Sequence, residues 1–449
     1  MIWTHKIQKD RFRDELNEEG RLSHRSVRDI LHFMGYRWEH FDRLRYYYEG
    51  TNWRILHASK GRDPQSVSYG RKIINTVSGY MYKPGSIKFT HDDERYLDEL
   101  NEVRNATHDD IVTAETGKET SIYGVGYELH YTDDDGMPRY VVVPSQETLA
   151  IYSRELGDDE PIAAVRWYVE DEQMQRLDIY YSDVVHHFIK KKGSSVPRPQ
   201  STLYPDEPDE EPHDYGRVPV VEYENNRERA GDFAHVLPLI DAYDALMTDS
   251  VFEIEKLAEA YLVLTNASIP ENDVDKMRAK RIIELYEGGK AEFLTKNVDP
   301  SLLQFMRDWI RREIHQQSQV PDMSDEQFAG QQSGIAIRYK LQDLENLCAA
   351  KESWFRKGLH RRIQLLDAVI QAAAGTESDG QVEITFTRNI PTNYVEIANI
   401  IERLRGHVSH QTILDKIVPF VDDPAEEIER LKDEEDVYPT EPDEAPPTD

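Results

Sequence analysis

The residues able to do chemistry in this chain are numerous, but none is arranged for it. His186 and His187 are adjacent in a strand-like run, so their side chains point to opposite faces and cannot chelate one metal together. His407 and His410 stand three apart near Asp415, and Ser409 between them has the character of a helix N-cap. Acid pairs such as Asp92-Asp93, Asp158-Asp159 and Asp422-Asp423 are raw material for metal-dependent hydrolysis. With 85 Asp and Glu in 449 residues, such pairs arise by chance. Gly117-Lys118 and Gly288-Gly289-Lys290 lack the spacing and the following Ser or Thr of a phosphate loop. Gly124-Val125-Gly126 is too short for a dinucleotide fingerprint and opens a strand. No Ser, His and Asp set stands on a nucleophile elbow. Cys348 is the one cysteine, which excludes an intramolecular disulfide and a cysteine-based zinc site and points to synthesis in a reducing cytoplasm. No catalytic residue, metal or cofactor is expected.

The elements that would position a site are clearer. Residues 1–50 are charged and patterned for helices, with Leu16, Val27, Ile30, Leu31, Met34 and Phe41 at helical spacing and Gly50 as the stop. Residues 71–83 form an amphipathic helix ended by Pro84-Gly85, and 96–120 read as one more helix. From 121 to 190 the period changes to two. GYELHYT, RYVVVP, TLAIYS, IAAVRWYVE, RLDIYYS and VHHFIKK are short strands of one antiparallel module, with Asp134-Asp135-Gly136 as a hairpin turn. Residues 193–217 are Pro-rich, and PDEPDEEPHD carries six acids in ten residues, an exposed loop by composition.

Asp232 then introduces a long helix over about 234–260, with Asp241, Asp244, Asp249, Glu253 and Glu255 on the face opposite its apolar stripe. A short basic helix at Asp273–Glu287 and a strand at AEFLTK follow, and Pro300 opens a second amphipathic helix to about 318. The polar stretch QVPDMSDEQFAGQQSG leads into a very long helix over about 334–374. A strand at QVEITFTRNIP, helices at about 393–406 and 409–416, and an acidic disordered tail complete the chain. No internal repeat is present.

The length suits two to four domains. No run of about 18 apolar residues exists, so no membrane helix is expected, and the amino-terminal stretch has no apolar signal core. The formal charge is −31. Proteins that grip DNA for affinity are basic, because neutralising phosphates releases counterions. The acidic balance reads either as solubility or a salt-adapted host, or as a surface to which nucleic acid must not stick.

Five segments in order resemble one family. They are RYYYEGTNWRIL with KIINTVSGYMYKPGSIKF; SIYGVGYELHYTDDDGMPRYVVVPSQETLAIY; AHVLPLIDAYDALMTDSVFEIEKLAEAYLVLTN; VPDMSDEQFAGQQSGIAIRYKLQDLENLCAAKESWFRKGLHRRIQLL; and FTRNIPTNYVEIANIIERLRGHVSHQTILDKIVPFVDDPAEEIERLKDE. Across most of 40–435 the chain resembles the portal, or head-to-tail connector, family of tailed double-stranded-DNA bacteriophages.

That resemblance implies an α+β, mainly helical subunit with wing, stem, clip and crown, assembling as a ring, normally of twelve, around a central channel in the virion. It places the wing at 1–233 with the β module at about 121–190 and the acidic loop at 193–217. The stem takes 234–263 and 300–318, the clip 264–299, the wing return 319–374, the crown 375–436 and the tail 437–449. It implies a tunnel loop within about 322–334, where Gln327, Gln331, Gln332 and Ser333 would meet DNA through neutral hydrogen bonds. The basic clip residues Lys276, Arg278, Lys280 and Arg281 become a docking surface. Implied partners are copies of itself, the large terminase subunit, head-completion or adaptor proteins, the major capsid and scaffolding proteins, and DNA passing without sequence preference. No membrane is involved. A virion structural or scaffolding protein without a DNA channel is the other reading, and a metal-dependent nuclease a third. Rings in negative-stain images separate the first from the second.

Overall fold

The computed structural model describes residues 11–51, 54, 65–155, 157, 159–194, 197–257, 261–265, 288–294, 300–323, 334–374, 381–388, 394–404, 406–416 and 427–432. The chain divides into two compact units, 1–322 with 343–389, and 323–342 with 390–449. Helices and sheets are both present, as the α+β class requires. No described helix is long and apolar enough to cross a membrane.

In the first unit, β1 (Phe12–Asp14) precedes α1 (His24–Glu49), whose N-cap Ser23 accepts from the Ser26 N–H at 3.1 Å. Gly50 ends α1 in the left-handed conformation, φ 88°, its N–H on the Tyr46 carbonyl. Among the described residues the helical pattern expected over 1–50 starts at His24. Then come α2 (Tyr69–Met81), β2 (Ile87–Thr90), α3 (Glu94–Thr107) and α4 (Asp109–Tyr123). The single helix expected over 96–120 is two, because His108 turns left-handed at φ 58° and caps α3. No glycine or proline marks this break.

Six strands fall where the period-two runs lie: β3 (Val125–Thr132), β4 (Pro138–Val143), β5 (Thr148–Ser153), β6 (Pro161–Val169), β7 (Met174–Tyr180) and β8 (Val184–Lys191). They do not form one module. β3 and β4 join β11 (Val220–Glu224) in a three-stranded sheet, and β5 to β8 form a second sheet with β1 at one edge. α1 lies on the second sheet, with Ile30, Leu31 and Met34 among Leu149, Ile151, Ala163, Val165, Leu177 and Ile179. These strand residues share one face by the registers Leu149↔Val165 and Val165↔Ile179, so strand alternation and helix periodicity meet in one core.

The acidic Pro-rich segment is more than a solvated loop. Within it β9 (Arg198–Pro199) and β10 (Glu210–Pro212) pair in succession along β8. Arg176 reaches Gln200 at 2.8 Å and Glu207 at 3.2 Å. His187 holds Asp178 at 2.8 Å through Nδ1 and Glu211 at 3.5 Å through Nε2, and His186 faces Glu210 at 3.4 Å. This strap puts acids and Pro212 on the sheet edge, which blocks edge-to-edge pairing.

The Asp178 hydrogen bond raises the His187 pKa against its partial burial, with the charges of Asp178 and Glu211 helping. A raised imidazole stabilises the strap fully below the ordinary histidine value of about 6.5 and loses that contribution as pH rises through the raised value. Amide-exchange protection across 198–212 should therefore fall on going from pH 6 to pH 8. The Asp178→Asn variant should flatten that dependence.

The first unit also holds α5 (Leu237–Leu257), β12 (Tyr261–Thr265), β13 (Lys290–Leu294), α6 (Pro300–Ser318), most of α8 (Gln342–Ala374) and β14 (Glu383–Phe386), whereas α7 (Gly334–Lys340) belongs to the second. β12 and β13 pair with each other, and β14 pairs with β2. The very long helix expected over 334–374 is broken by a turn at Leu341. In the second unit α9 (Tyr394–Leu404) and α10 (His410–Lys416) share a small core of Ile401, Leu404, Val408, Ile413, Leu414 and Ile428. Ser409 caps α10, accepting from the Thr412 N–H at 3.3 Å.

Candidate functional site

The residues singled out for DNA contact and docking lie outside the described structure: Gln327, Gln331, Gln332 and Ser333 fall in 324–333, and Lys276, Arg278, Lys280 and Arg281 in 266–287. What the structure describes is the machinery that holds the elements flanking them. Among the described residues no group of His, Cys, Asp and Glu is placed to hold a metal. His186 and His187 take separate carboxylate partners, Glu210 and Asp178.

The central element is α8. On its apolar stripe, where Leu344, Cys348, Phe355, Leu359 and Leu366 are buried, two positions are cationic. Lys351 and Arg362, 2% and 1% exposed, stand eleven residues apart, three helical turns. Arg362 Nε donates to Glu128 and to Tyr223 Oη, both at 3.0 Å, and its Nη1 donates to Asp109 at 2.6 Å and to Thr113 at 2.9 Å. Glu128 also accepts from Thr116 at 2.8 Å and Tyr223 at 2.8 Å, and Asp109 accepts from Tyr140 at 2.9 Å and Arg104 at 2.8 Å. Burial pushes the Asp109 carboxyl up in pKa, but Arg362 and Arg104 outweigh it and hold it below its ordinary value. Lys351 Nζ donates to Ser121 at 2.8 Å and to Asp232 at 2.5 Å, and Asn225 donates to the other Asp232 oxygen at 2.8 Å. Asp232, expected to open the long helix, is instead the buried counter-ion of Lys351.

A second lattice lies behind β11. Arg229 reaches both oxygens of Glu222, at 2.7 and 2.8 Å, and Glu224 at 2.9 Å. Tyr127 donates to Glu222 at 2.7 Å and accepts from Arg37 at 3.0 Å, which ties α1 to both sheets because Arg37 also donates to the Thr148 carbonyl at 2.6 Å. Burial pushes the Glu222 carboxyl up, yet Arg229, Tyr127 and Arg11 together hold it well below its ordinary range. Arg229 itself is left-handed, φ 53°, a conformation that costs a non-glycine residue about 1–2 kcal/mol. A side chain at Gly124 would overlap the Arg229 carbonyl. Buried ion pairs of this kind specify geometry more than they add stability, and each is costly to break from one side.

Gly358 on α8 lies flat against the Tyr223 ring, where a methyl group would overlap it. An exposed helical glycine replaced by alanine gains about 1 kcal/mol. Gly358→Ala should instead destabilise by about 1–3 kcal/mol through overpacking against a buried tyrosine that cannot turn aside. Urea denaturation read by circular dichroism checks the sign.

α5 and α6 pack on one another. The sequence places Asp241 and Asp244 on the outer face of α5, but both are buried. Asp241 accepts from Tyr47 at 2.5 Å and Arg54 at 3.2 Å, and Asp244 from the Val67 N–H at 2.8 Å. α6 is fastened at its far end by His315, Nδ1 at 2.9 Å from the Val320 carbonyl, and by Lys72 on Asp322 at 2.9 Å. One face of α6 buries Ile310, Ile314, His315 and Ser318. The other presents Leu302, Phe305 and Trp309, which stand 58%, 64% and 43% exposed, one apolar stripe at spacing three and four.

The expected long helix stops at Leu257, and Tyr261–Thr265 is already strand. The run YLVLT reads equally well as helix or strand by periodicity. The antiparallel ribbon of β12 and β13 has no further strand among the described residues, and two strands alone are marginal in water.

The sequence model of the family described as "Phage portal protein, SPP1 Gp6-like" matches residues 31–438. The portal protein of Bacillus phage SPP1 is 24% identical over 414 residues, covering 88% of this chain and 80% of that protein. The portal protein of Clostridium phage phiCD119 is 25% identical over 312 residues, 66% of each. Among solved structures, the neck of a native gene transfer agent particle computed with C12 symmetry gives a TM-score of 0.44 at 13% identity, covering 78% of this chain and 89% of that one. An HK97-family portal protein from Corynebacterium diphtheriae gives 0.33 at 10%, covering 70% and 91%.

Proposed function

This chain belongs to the SPP1 Gp6-like family of phage portal proteins, and from that premise we propose that it is the subunit of the ring at one capsid vertex, the conduit for double-stranded DNA in packaging and ejection. The observation that carries the ring is the apolar stripe Leu302, Phe305 and Trp309 on α6, which a neighbouring copy would bury by a heterologous, closing contact. The ribbon of β12 and β13 supports it, since it too needs completion from outside. The charge of −31 supports a conduit through which a polyanion slides without being held.

In this reading the wing takes 1–233, α5 and α6 are the stem, and the crown takes 375–436. The clip takes 264–299, and β12 straddles its start. The tunnel loop lies within 322–334 and offers Gln327, Gln331, Gln332 and Ser333 to passing phosphates. Lys276, Arg278, Lys280 and Arg281 dock the terminase motor and then the head-completion proteins, and capsid and scaffolding proteins surround the wing in the virion.

Negative-stain images of purified protein test the proposal. Closed rings with a central hole, normally of twelve subunits, are the expected result, and particles without closed rings would overturn it. ATP turnover by the protein alone would contradict a passive conduit.

A further inference from the structure

A cleft of about 420 Å³ opens between α8 and the strands β5, β6 and β11. Arg11, Arg356, Lys357 and Arg361 line it, a concentration of cations in a chain of net charge −31. Arg11 is set on the Tyr152 ring at 4.4 Å and held by Glu224 at 2.7 Å. Arg361 is 12% exposed, and its buried Nε has no hydrogen-bond partner among the described residues.

The carboxylates that face these cations from the turn between β5 and β6 are of a different kind. Asp159 bridges Arg11 at 2.7 Å and Lys357 at 2.9 Å, and Glu160 bridges Arg361 at 3.0 Å and Arg217. Asp159 is 64% exposed and Glu160 53%. Of the four cations that these two carboxylates hold, Arg11 and Arg361 are built into the wall, whereas both anions reach in from the surface on a turn. Exposed pairs of this sort hold weakly and exchange readily.

We propose that this cleft docks an acidic peptide segment of a partner protein, whose carboxylates displace Asp159 and Glu160 and take over Arg11, Lys357, Arg361 and Arg217. The present occupants are carboxylates, and guanidinium forks match carboxylate geometry through paired hydrogen bonds. Nucleic acid suits the cleft less well. Glu222 and Glu224 also line it, and a peptide can space its carboxylates to avoid them where a phosphate backbone of fixed, dense charge cannot.

Fluorescence anisotropy of a labelled oligo-glutamate peptide with the full chain tests this, with a labelled double-stranded DNA oligonucleotide alongside. Asp159→Asn with Glu160→Gln removes the built-in competitor and should tighten peptide binding roughly tenfold, equivalent to about 1.4 kcal/mol. Lys357→Gln, a change at a half-exposed surface position, should weaken it. Rise in one variant and fall in the other is the expected pair. Peptide affinity unchanged in both variants, or absent throughout, would overturn the proposal. So would DNA binding that rises with the double variant as much as peptide binding does, since that would mark a general anion patch.

Discussion

Arg362→Met should cost the first unit about 3–5 kcal/mol, the penalty for stranding buried carboxylates that have lost their cation. Glu128 is wholly buried and Asp109 nearly so, and both use Arg362 as a partner. Methionine fills much of the volume but donates nothing. Set against a usual total stability of about 5–15 kcal/mol, the loss should be plain in urea unfolding followed by circular dichroism. Adding Glu128→Gln should recover part of it, because the two sites are coupled. A loss below about 1 kcal/mol would mean that the lattice does not seat α8.

The pH profile gives an independent reading of the same lattice. Asp109 is held below its ordinary pKa, so its contribution is present above the unfolded carboxylate value and is lost as pH falls through the lowered folded one. Without Arg362 that lowering is diminished, so the stability gap between the native protein and Arg362→Met should be widest near neutral pH and narrow as the pH falls.

Phe305→Asp combined with Trp309→Ser should leave the subunit folded and abolish ring formation. Both side chains are exposed in the single chain, 64% and 43%, so the monomer loses little. In an assembly each would be a buried aromatic anchor, worth about 2 kcal/mol or roughly thirtyfold in affinity, and a closed ring repeats the loss at every interface. Sedimentation velocity should show one small species in place of the ring, with an unchanged circular dichroism spectrum. Rings that persist in the double variant would take the stripe out of the interface.

The strands were legible because alternation is a local signal. The runs from Val125 to Lys191 state their own faces, and Gly136 states its turn. The helix over Pro300–Ser318 was equally plain, since proline at the first position is a local signal too. What alternation could not convey was partition. Nothing between Val143 and Thr148 says that the chain leaves one sheet for another, because the partner of β3 is β11, some ninety residues on.

The acids were misplaced for a related reason. Among 85 of them, nothing local separates Asp244, buried against the Val67 N–H, from the exposed Asp249. One signal was available. Lys351 and Arg362 fall on the stripe that also carries Cys348, Phe355, Leu359 and Leu366, and a cation on an apolar stripe demands a buried anion. Glu128, at an inward position of β3, was the matching half of that demand.

The three-turn spacing of Lys351 and Arg362 bears on how relatives of this chain can differ in length. One residue inserted between them would rotate either cation by about 100° around the helix axis and carry it away from its pocket. The stretch 352–361 should therefore admit neither insertions nor deletions. The strap over 198–212, laid along a sheet edge, is where gains and losses of chain should gather.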